Sequence, residues 1–506
     1  MKFSISRQSL LNLKSDALVV PLFQQEDWHG IKLPSAIKKI ILSSVIETGD
    51  FKAKKSEIMF LPVKRQLLGL PRLFLLGFGD KQKYDWHLLR DSCGTLTKSL
   101  RKYPVKKVSF WLRLELVLAN DWQRLGQTFA EGTLLGSYEF EGYKSKREEN
   151  HLPASLTEFE FVEVPLKLRK KFQSGLKIGE VVADAVKLAR DLGNHPANVA
   201  NPTMLAQTAI AIAKTRDLEC EVLGEKQLQS LKMSALLGVA RGSNQPPKLI
   251  VLRWYGAASK TTKPIALLGK GITFDSGGIS LKPSKSMEEM KFDMSGGGDV
   301  IAILKAVAEL KLLVNVVGII PAVENLPSGN ATKPGDILHS MSGTTIEVVN
   351  TDAEGRLILA DALTYAKQFE PKAIVDLATL TGAVVVALGS AAAAIVGNDE
   401  GLIIELKRSA EMTGERIWQF PLYEEYQDQI KSEVADLKNV GEKGAGVSIG
   451  GCFLAHFAGE VPWAHLDIAG VAATIKDLPI APKGATGFGV RLILAWLHNY
   501  GIRPDN

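Results

Sequence analysis

Residues Pro264 to Gly269 read Pro-Ile-Ala-Leu-Leu-Gly, with no polar side chain, and the next residue is Lys270. A continuous apolar run of this length, unlike an alternating one, fits a strand covered on both faces, as parallel strands are inside layered α/β folds. Lys270 then falls near the carboxyl end of that strand. In open parallel sheets, ligands bind at that end.

Lys270 opens the cluster Lys270-Gly271-Ile272-Thr273-Phe274-Asp275-Ser276-Gly277-Gly278, followed by Lys282 and by Met290-Lys291-Phe292-Asp293. Gly277 and Gly278 allow a tight turn past Asp275 and a close approach to a ligand. By itself the cluster reads equally well as a surface hairpin with solvated charges. A second segment, Asn350-Thr351-Asp352-Ala353-Glu354-Gly355-Arg356-Leu357, sets two carboxylates and a guanidinium at alternate positions where a loop turns into a helix. In an extended loop Asp352, Glu354 and Arg356 would face one cavity. The competing reading is a helix cap: Thr351 with Glu354 fits a capping box, and Leu357, Leu359, Leu363 and Ala366 continue an apolar helical face.

Taken together, the two segments favour chemistry over capping. Four carboxylates, Asp275, Asp293, Asp352 and Glu354, gathered near a buried sheet would repel one another unless cations neutralise them. Two divalent ions roughly 3.5 to 4 Å apart fit that charge. Oxygen-rich ligation favours Mn, Mg and Zn. Lys282 is placed to stabilise a developing oxyanion and Arg356 to hold an anion or a substrate group. Lys270 would have to lose its proton to bind a metal, and nearby cations and burial push it that way. Only Thr351 is expected to keep a capping role.

These residues resemble the leucyl aminopeptidase family, cytosol-type dinuclear metallo-exopeptidases. The likeness extends through Arg190-Asp191-Leu192-Gly193-Asn194, Gly238-Val239-Ala240-Arg241-Gly242-Ser243, Trp463-Ala464-His465-Leu466-Asp467-Ile468-Ala469-Gly470 and Gly484-Ala485-Thr486-Gly487-Phe488-Gly489. The resemblance implies that Lys270, Asp275, Asp293 and Glu354 hold one ion and that Asp275, Asp352 and Glu354 hold the other. It further implies Mn2+ or Zn2+ as the ions, with Mg2+ as a third choice, an oxyanion-stabilising Lys282, and a bicarbonate held by Arg356. The substrates would be peptides with a free N-terminus, their first side chain lined by Met290, Thr379, Leu380, Gly382, Ala469 and Ala472. Alanine at 472, where larger residues occur in relatives, suggests a roomier pocket. Ser295-Gly296-Gly297-Gly298, where relatives carry alanines, is expected to loosen the segment after Asp293. A homohexamer is also implied.

The implied fold class is α/β. A small N-terminal α/β domain, residues 1–165, precedes a larger catalytic domain, residues 166–506, with a mixed, mainly parallel sheet flanked by helices; residues 166–191 form a helical linker. Length supports two cores, and 46% hydrophobic content suffices to fill them. In the first part Ala17 to Pro21, Leu73 to Gly77, Val108 to Leu114 and Phe159 to Val164 read as strands and Asp85 to Leu100 as a helix. The charged stretch Tyr143 to Asn150 lies between them.

Other chemistries fit less well. The eight histidines form no His-Glu-x-x-His pair. Gly269-Lys270 lacks the spacing of a phosphate-binding P-loop. Residues Leu377 to Gly397 carry no charge over a membrane-spanning length, but their Ala, Gly and Thr content reads as a buried strand and a packed helix, so no membrane is expected. Cys93, Cys220 and Cys452 are widely spaced, which fits free thiols in a reducing compartment, and no secretory signal is apparent; a cytoplasmic location follows. Residues 1–150 hold 25 Lys and Arg against 16 Asp and Glu. Clusters at Lys38-Lys39, Lys52-Lys54-Lys55, Lys64-Arg65, Arg101-Lys102 and Lys106-Lys107 raise the alternative of a DNA-binding regulatory protein, against the plainer reading of a solvated basic face.

Overall fold

The computed structural model describes residues 1–42, 48–64, 69–145 and 156–501. The chain divides into two compact units, Met1–Ala183 with Asp477–Pro482, and Asp184–Lys476 with Lys483–Asn506. The helix Arg169–Asn194, preceded by a 3-10 turn at Leu166–Leu168, occupies the stretch read as a linker.

The first unit is a six-stranded sheet ordered Lys2–Ile5, Glu158–Val162, Lys107–Trp111, Ala17–Leu22, Arg72–Gly77, Ile58–Pro62. Only the last strand is antiparallel to its neighbour. The expected strands all form, with ends set by local chemistry. The strand at Lys107 stops at Trp111, because Arg113 turns inward to bond Glu26 and the carbonyl of Pro21. Its neighbour stops at Val162, because Glu163 adopts a φ of +66°. Asp85 does not begin the expected helix but caps it, accepting from Leu88 N at 2.7 Å. Of the basic clusters, Lys107 pairs with Glu158 and Glu160. Arg65 and residues 146–150 of the charged stretch lie outside the described residues.

In the second unit the apolar run forms the strand Ile265–Gly269, buried throughout and parallel to both of its neighbours, Asn315–Asn325 and Ala373–Ala378. The full order is Ile417–Gln419, Ala393–Gly397, Trp463–Asp467, Ala373–Ala378, Ile265–Gly269, Asn315–Asn325, Lys248–Tyr255, Glu219–Leu223, with Gly271–Asp275 also alongside Asn315–Asn325. The central pairings are parallel, and antiparallel ones occur toward both edges. This is the mixed, mainly parallel α/β arrangement expected. Lys270, Asp275, Asn325, Thr379 and Asp467 thus lie at or just beyond the carboxyl ends of parallel strands.

Two expectations need correction. The glycines opening the helix Ser295–Leu310 do not loosen it, since Ser295 to Gly298 are helical and buried. A Cβ on Gly296 would meet the carbonyl oxygen of Leu377 at 2.0 Å, and one on Gly297 would meet Ile320 at 2.8 Å. Small residues here let the helix touch the sheet backbone, and Gly297 N donates to the Lys270 carbonyl at 2.8 Å. The region Leu377 to Gly397 contains the end of one strand, the helix Gly382–Leu388 and the strand Ala393–Gly397. Its helix is not packed over its length: Val384 is buried, whereas Val386 is 90% exposed. Among the described residues no helix is long and apolar enough to cross a membrane.

Candidate functional site

Lys270 leaves its strand with its ammonium buried at 2% exposure. Nζ lies 2.9 Å from Asp293 Oδ1 and 2.8 Å from Glu354 Oε1, and donates to the Thr379 carbonyl at 2.8 Å. Burial alone would lower its pKa, but the carboxylates of Asp293, Glu354 and Asp275 outweigh burial and raise it well above the ordinary lysine value. In this arrangement Lys270 is an ammonium. Gly355 makes room for it, since a Cβ there would lie 2.7 Å from Nζ.

Asp275 ends the strand Gly271–Asp275. Its Oδ1 accepts from Gly277 N at 2.9 Å and from Asn325 Nδ2 at 2.8 Å, and its Oδ2 pairs with Lys282 Nζ at 2.8 Å. Lys282 also pairs with Asp352. The turn past Asp275 uses both glycines as expected, with φ of +88° at Gly277 and +67° at Gly278. Asp293 comes from the 3-10 segment Met287–Met294, and its Oδ1 accepts from Thr379 Oγ1 at 2.7 Å.

The octapeptide is not extended. It turns at Thr351 and Asp352, and Gly355 begins the buried helix Gly355–Ala366. Glu354 occupies the N-cap position without a side-chain capping bond, which leaves its carboxylate free to reach Lys270. Thr351 does not cap the helix either. Its hydroxyl donates to the Gly277 carbonyl at 2.6 Å and accepts from Ser280 N at 2.8 Å, tying the octapeptide to the Asp275 loop.

Asp275, Asp293 and Glu354 each offer an oxygen within 4.8 Å of the others. Among the described residues Asp293 Oδ2 and Glu354 Oε2 are buried without a hydrogen-bond partner. Burial, with the neighbouring carboxylates and against the pull of Lys270 and Lys282, raises the pKa of Asp293, Glu354 and Asp352. Four carboxylates against two ammoniums leave a cation deficit, concentrated on the two unpartnered oxygens. That donor set fits hard or borderline divalent ions.

Arg356 lies in the first turn of the helix, buried, and its Nη1 donates to the Asn439 carbonyl at 2.7 Å. Among the described residues it forms no ion pair, and burial brings its pKa down to about 10 against the more distant attraction of Glu354 and Asp467. A buried guanidinium without a carboxylate partner is suited to an anion.

The expected pocket residues stand around the same strand ends. Leu380 N and Ala469 N both donate to Asp467 Oδ1, at 3.1 and 3.2 Å, and Thr381 Oγ1 donates to Asp467 Oδ2 at 2.6 Å. Met290 is half-buried, Gly382 is exposed at the start of its helix, and Ala472 is covered at 3% exposure. Sequence reasoning missed Asn325, Asn439, Gly355 and the fully buried Asp467. Asn325 had a signal, because Glu324 and Asn325 close a strand whose run Val316–Val323 is apolar, as Lys270 follows its own. Asn439 had none.

Two family profiles match the chain: "Cytosol aminopeptidase family, catalytic domain" over residues 187–494 and "Cytosol aminopeptidase family, N-terminal domain" over residues 19–147. A probable cytosol aminopeptidase of Geobacter sp. (strain M21) is 45% identical over 501 residues, covering 98% of this chain and 99% of the relative. One from Burkholderia multivorans (strain ATCC 17616 / 249) is 44% identical over 494 residues, covering 97% and 96%. Among solved structures, the bottromycin maturation enzyme BotP is similar with a TM-score of 0.84 at 30% identity, covering 96% of this chain and 99% of that one. A structure of BotP in complex with Mn gives 0.83 at 31% over the same shares.

Proposed function

Given that the chain belongs to the cytosol aminopeptidase family and is an aminopeptidase of a metal-dependent kind, we propose how its residues divide the work. Lys270, Asp275, Asp293 and Glu354 hold one divalent ion, and Asp275, Asp352 and Glu354 hold a second. One observation carries this assignment: Asp293 Oδ2 and Glu354 Oε2 are buried without partners beside Asp275. When bound, two such ions supply an activated water at neutral pH and polarise the scissile carbonyl. Manganese is favoured by the oxygen-rich donors and by the Mn in BotP, with zinc next and magnesium third.

Lys282, already bonded to Asp275 and Asp352, lies at the edge of the carboxylate cluster. There its ammonium stabilises the oxyanion that develops as the carbonyl is attacked. Arg356 would hold an anion such as bicarbonate, whose role when bound would be to supply a proton carrier near the leaving amine. The first side chain of the peptide is received by Met290, Thr379, Leu380, Gly382, Ala469 and Ala472, with Asp467 framing the loop. Leucine and other apolar first residues are the preferred substrates. Catalysis belongs to the part after residue 165, and the basic N-terminal part serves assembly, the whole being a cytoplasmic homohexamer.

The test is release of leucine from a leucyl anilide with added Mn2+, with and without chelator, for the wild type and Glu354→Ala. Loss of turnover in both the chelated and the substituted enzyme is expected. Turnover indifferent to both refutes the metal assignment.

A further inference from the structure

Asn439 stands outside every motif that marks the site, yet it is fully buried against the octapeptide. It follows the short strand Leu437–Lys438, which runs parallel to Thr345–Glu347, and its own N–H continues that pairing to the Glu347 carbonyl at 3.0 Å. This registers its side chain opposite the loop that carries Asp352 and Glu354. Oδ1 accepts from Val349 N at 2.9 Å and Asn350 N at 3.3 Å. Nδ2 donates to the carbonyls of Asn350 at 2.6 Å and Ala353 at 3.3 Å. The amide is thus used at both ends, and flipping it would oppose donor to donor and acceptor to acceptor. The Asn439 carbonyl accepts from Arg356 Nη1 at 2.7 Å.

One residue therefore grips the backbone on both sides of Asp352 and also fixes the guanidinium four residues later. Carboxylates that ligate metals depend on such outer partners for orientation. We propose that Asn439 is a positioning residue for the aminopeptidase reaction: its amide fixes the loop bearing Asp352 and its carbonyl fixes Arg356, so that the second ion and the anion are held in one register. This rests on the dinuclear reading above. Aspartate cannot substitute despite its shape, because an oxygen in place of Nδ2 would face two carbonyls in a buried place.

The test uses full-length wild type, Asn439→Ala and Asn439→Asp, each checked for folding by circular dichroism. Calorimetric titration of the metal-free proteins with Mn2+ alone is expected to give two ions per subunit in the wild type. In both variants the tighter ion should remain within about threefold while the weaker one loses at least about tenfold in affinity, within the range for lost outer partners. Hydrogen exchange of the metal-free proteins should speed up at the amides of Val349 and Asn350. Turnover should lose kcat by roughly 10- to 100-fold with KM changed less than about threefold. A space-filling role would instead leave Asn439→Asp close to wild type and slow only Asn439→Ala. That pattern, or wild-type second-ion affinity in a folded Asn439→Ala, overturns the inference while leaving the dinuclear site intact. A wild type that binds fewer than two ions overturns both.

Discussion

An alanine at position 355 tests whether the octapeptide glycine is there to admit Lys270. A Cβ built on Gly355 lies 2.7 Å from Lys270 Nζ, 2.8 Å from Cε and 2.9 Å from Cδ. Restoring ordinary contact at about 3.5 Å requires the lysine arm to retreat by roughly 0.6–0.8 Å. It has little freedom to do so, being 2% exposed with its donors committed to Asp293, Glu354 and the Thr379 carbonyl. Losing one hydrogen bond to a charged group costs about 1.5–3 kcal/mol. Against that, Gly→Ala gains up to about 1 kcal/mol of helix propensity, and this position is in the first turn, where the gain is smaller. The net expectation is a metal-free protein destabilised by about 0.5–2.5 kcal/mol, opposite in sign to the usual effect of this substitution in a helix. Moving the lysine also moves its carboxylate partners, so Mn2+ affinity should fall by roughly tenfold, or about 1.4 kcal/mol. The assays are thermal melting of the metal-free protein and calorimetric titration with Mn2+. A Gly355→Ala protein that melts above the wild type and binds Mn2+ unchanged refutes the reasoning.

Mn2+ binding should weaken as pH falls, because Asp293, Glu354 and Asp352 all have pKa values raised by burial and neighbouring carboxylates, so protons compete for the same oxygens. Titrations in buffers of differing ionisation enthalpy should also show proton release, since Lys270 must give up a proton to become a ligand; binding that is independent of pH and releases none contradicts the assignment. Asp361, fully buried and accepting from Leu236 N and Met341 N, has its pKa pushed up to about 7 by burial. Because the folded value lies above the unfolded one of about 3.9, this group costs stability as pH rises from about 4 to 7, by up to roughly 4 kcal/mol, and the cost is constant above that window. Asp361→Asn should therefore gain stability relative to the wild type across that window in denaturant titrations; a difference that does not vary with pH excludes the effect.

What was legible in the sequence was whatever leaves a local pattern. The run Pro264 to Gly269 identified a buried strand because covering both faces removes every polar residue, and Lys270 followed as the strand's end. The carboxylates were visible because four acids near such a strand have no structural reason to gather. Thr351 misled because a Thr-x-x-Glu spacing serves a capping box and a metal loop alike. What decides between them is Gly277 and Ser280, more than 70 residues away, which take the hydroxyl instead. The same holds for Asn325 to Asp275, 50 residues apart, and for Asn439 to the octapeptide, between 83 and 89 residues apart. A single asparagine has no periodicity, and its value comes only from what the fold brings opposite it.

The two lysines offset part of the charge of the carboxylate cluster. Lys270 joins Asp293 to Glu354, and Lys282 joins Asp275 to Asp352, so each ammonium spans two of the four carboxylates. Removing one partner of a buried pair such as Lys270–Glu354 costs about 3–5 kcal/mol, so this bridge ties the strand end to the octapeptide. The neutralisation is incomplete: two positive groups cannot satisfy four negative ones, and among the described residues Asp293 Oδ2 and Glu354 Oε2 are left buried without a hydrogen-bond partner. A protein that filled this deficit with further lysines would be more comfortable empty and would bind cations less well. Under the proposed assignment, stability of the fold and affinity for metal are therefore set against each other through the same side chains, with Lys270 at the centre because it pairs with Asp293 and Glu354 and would have to yield its proton to become a ligand.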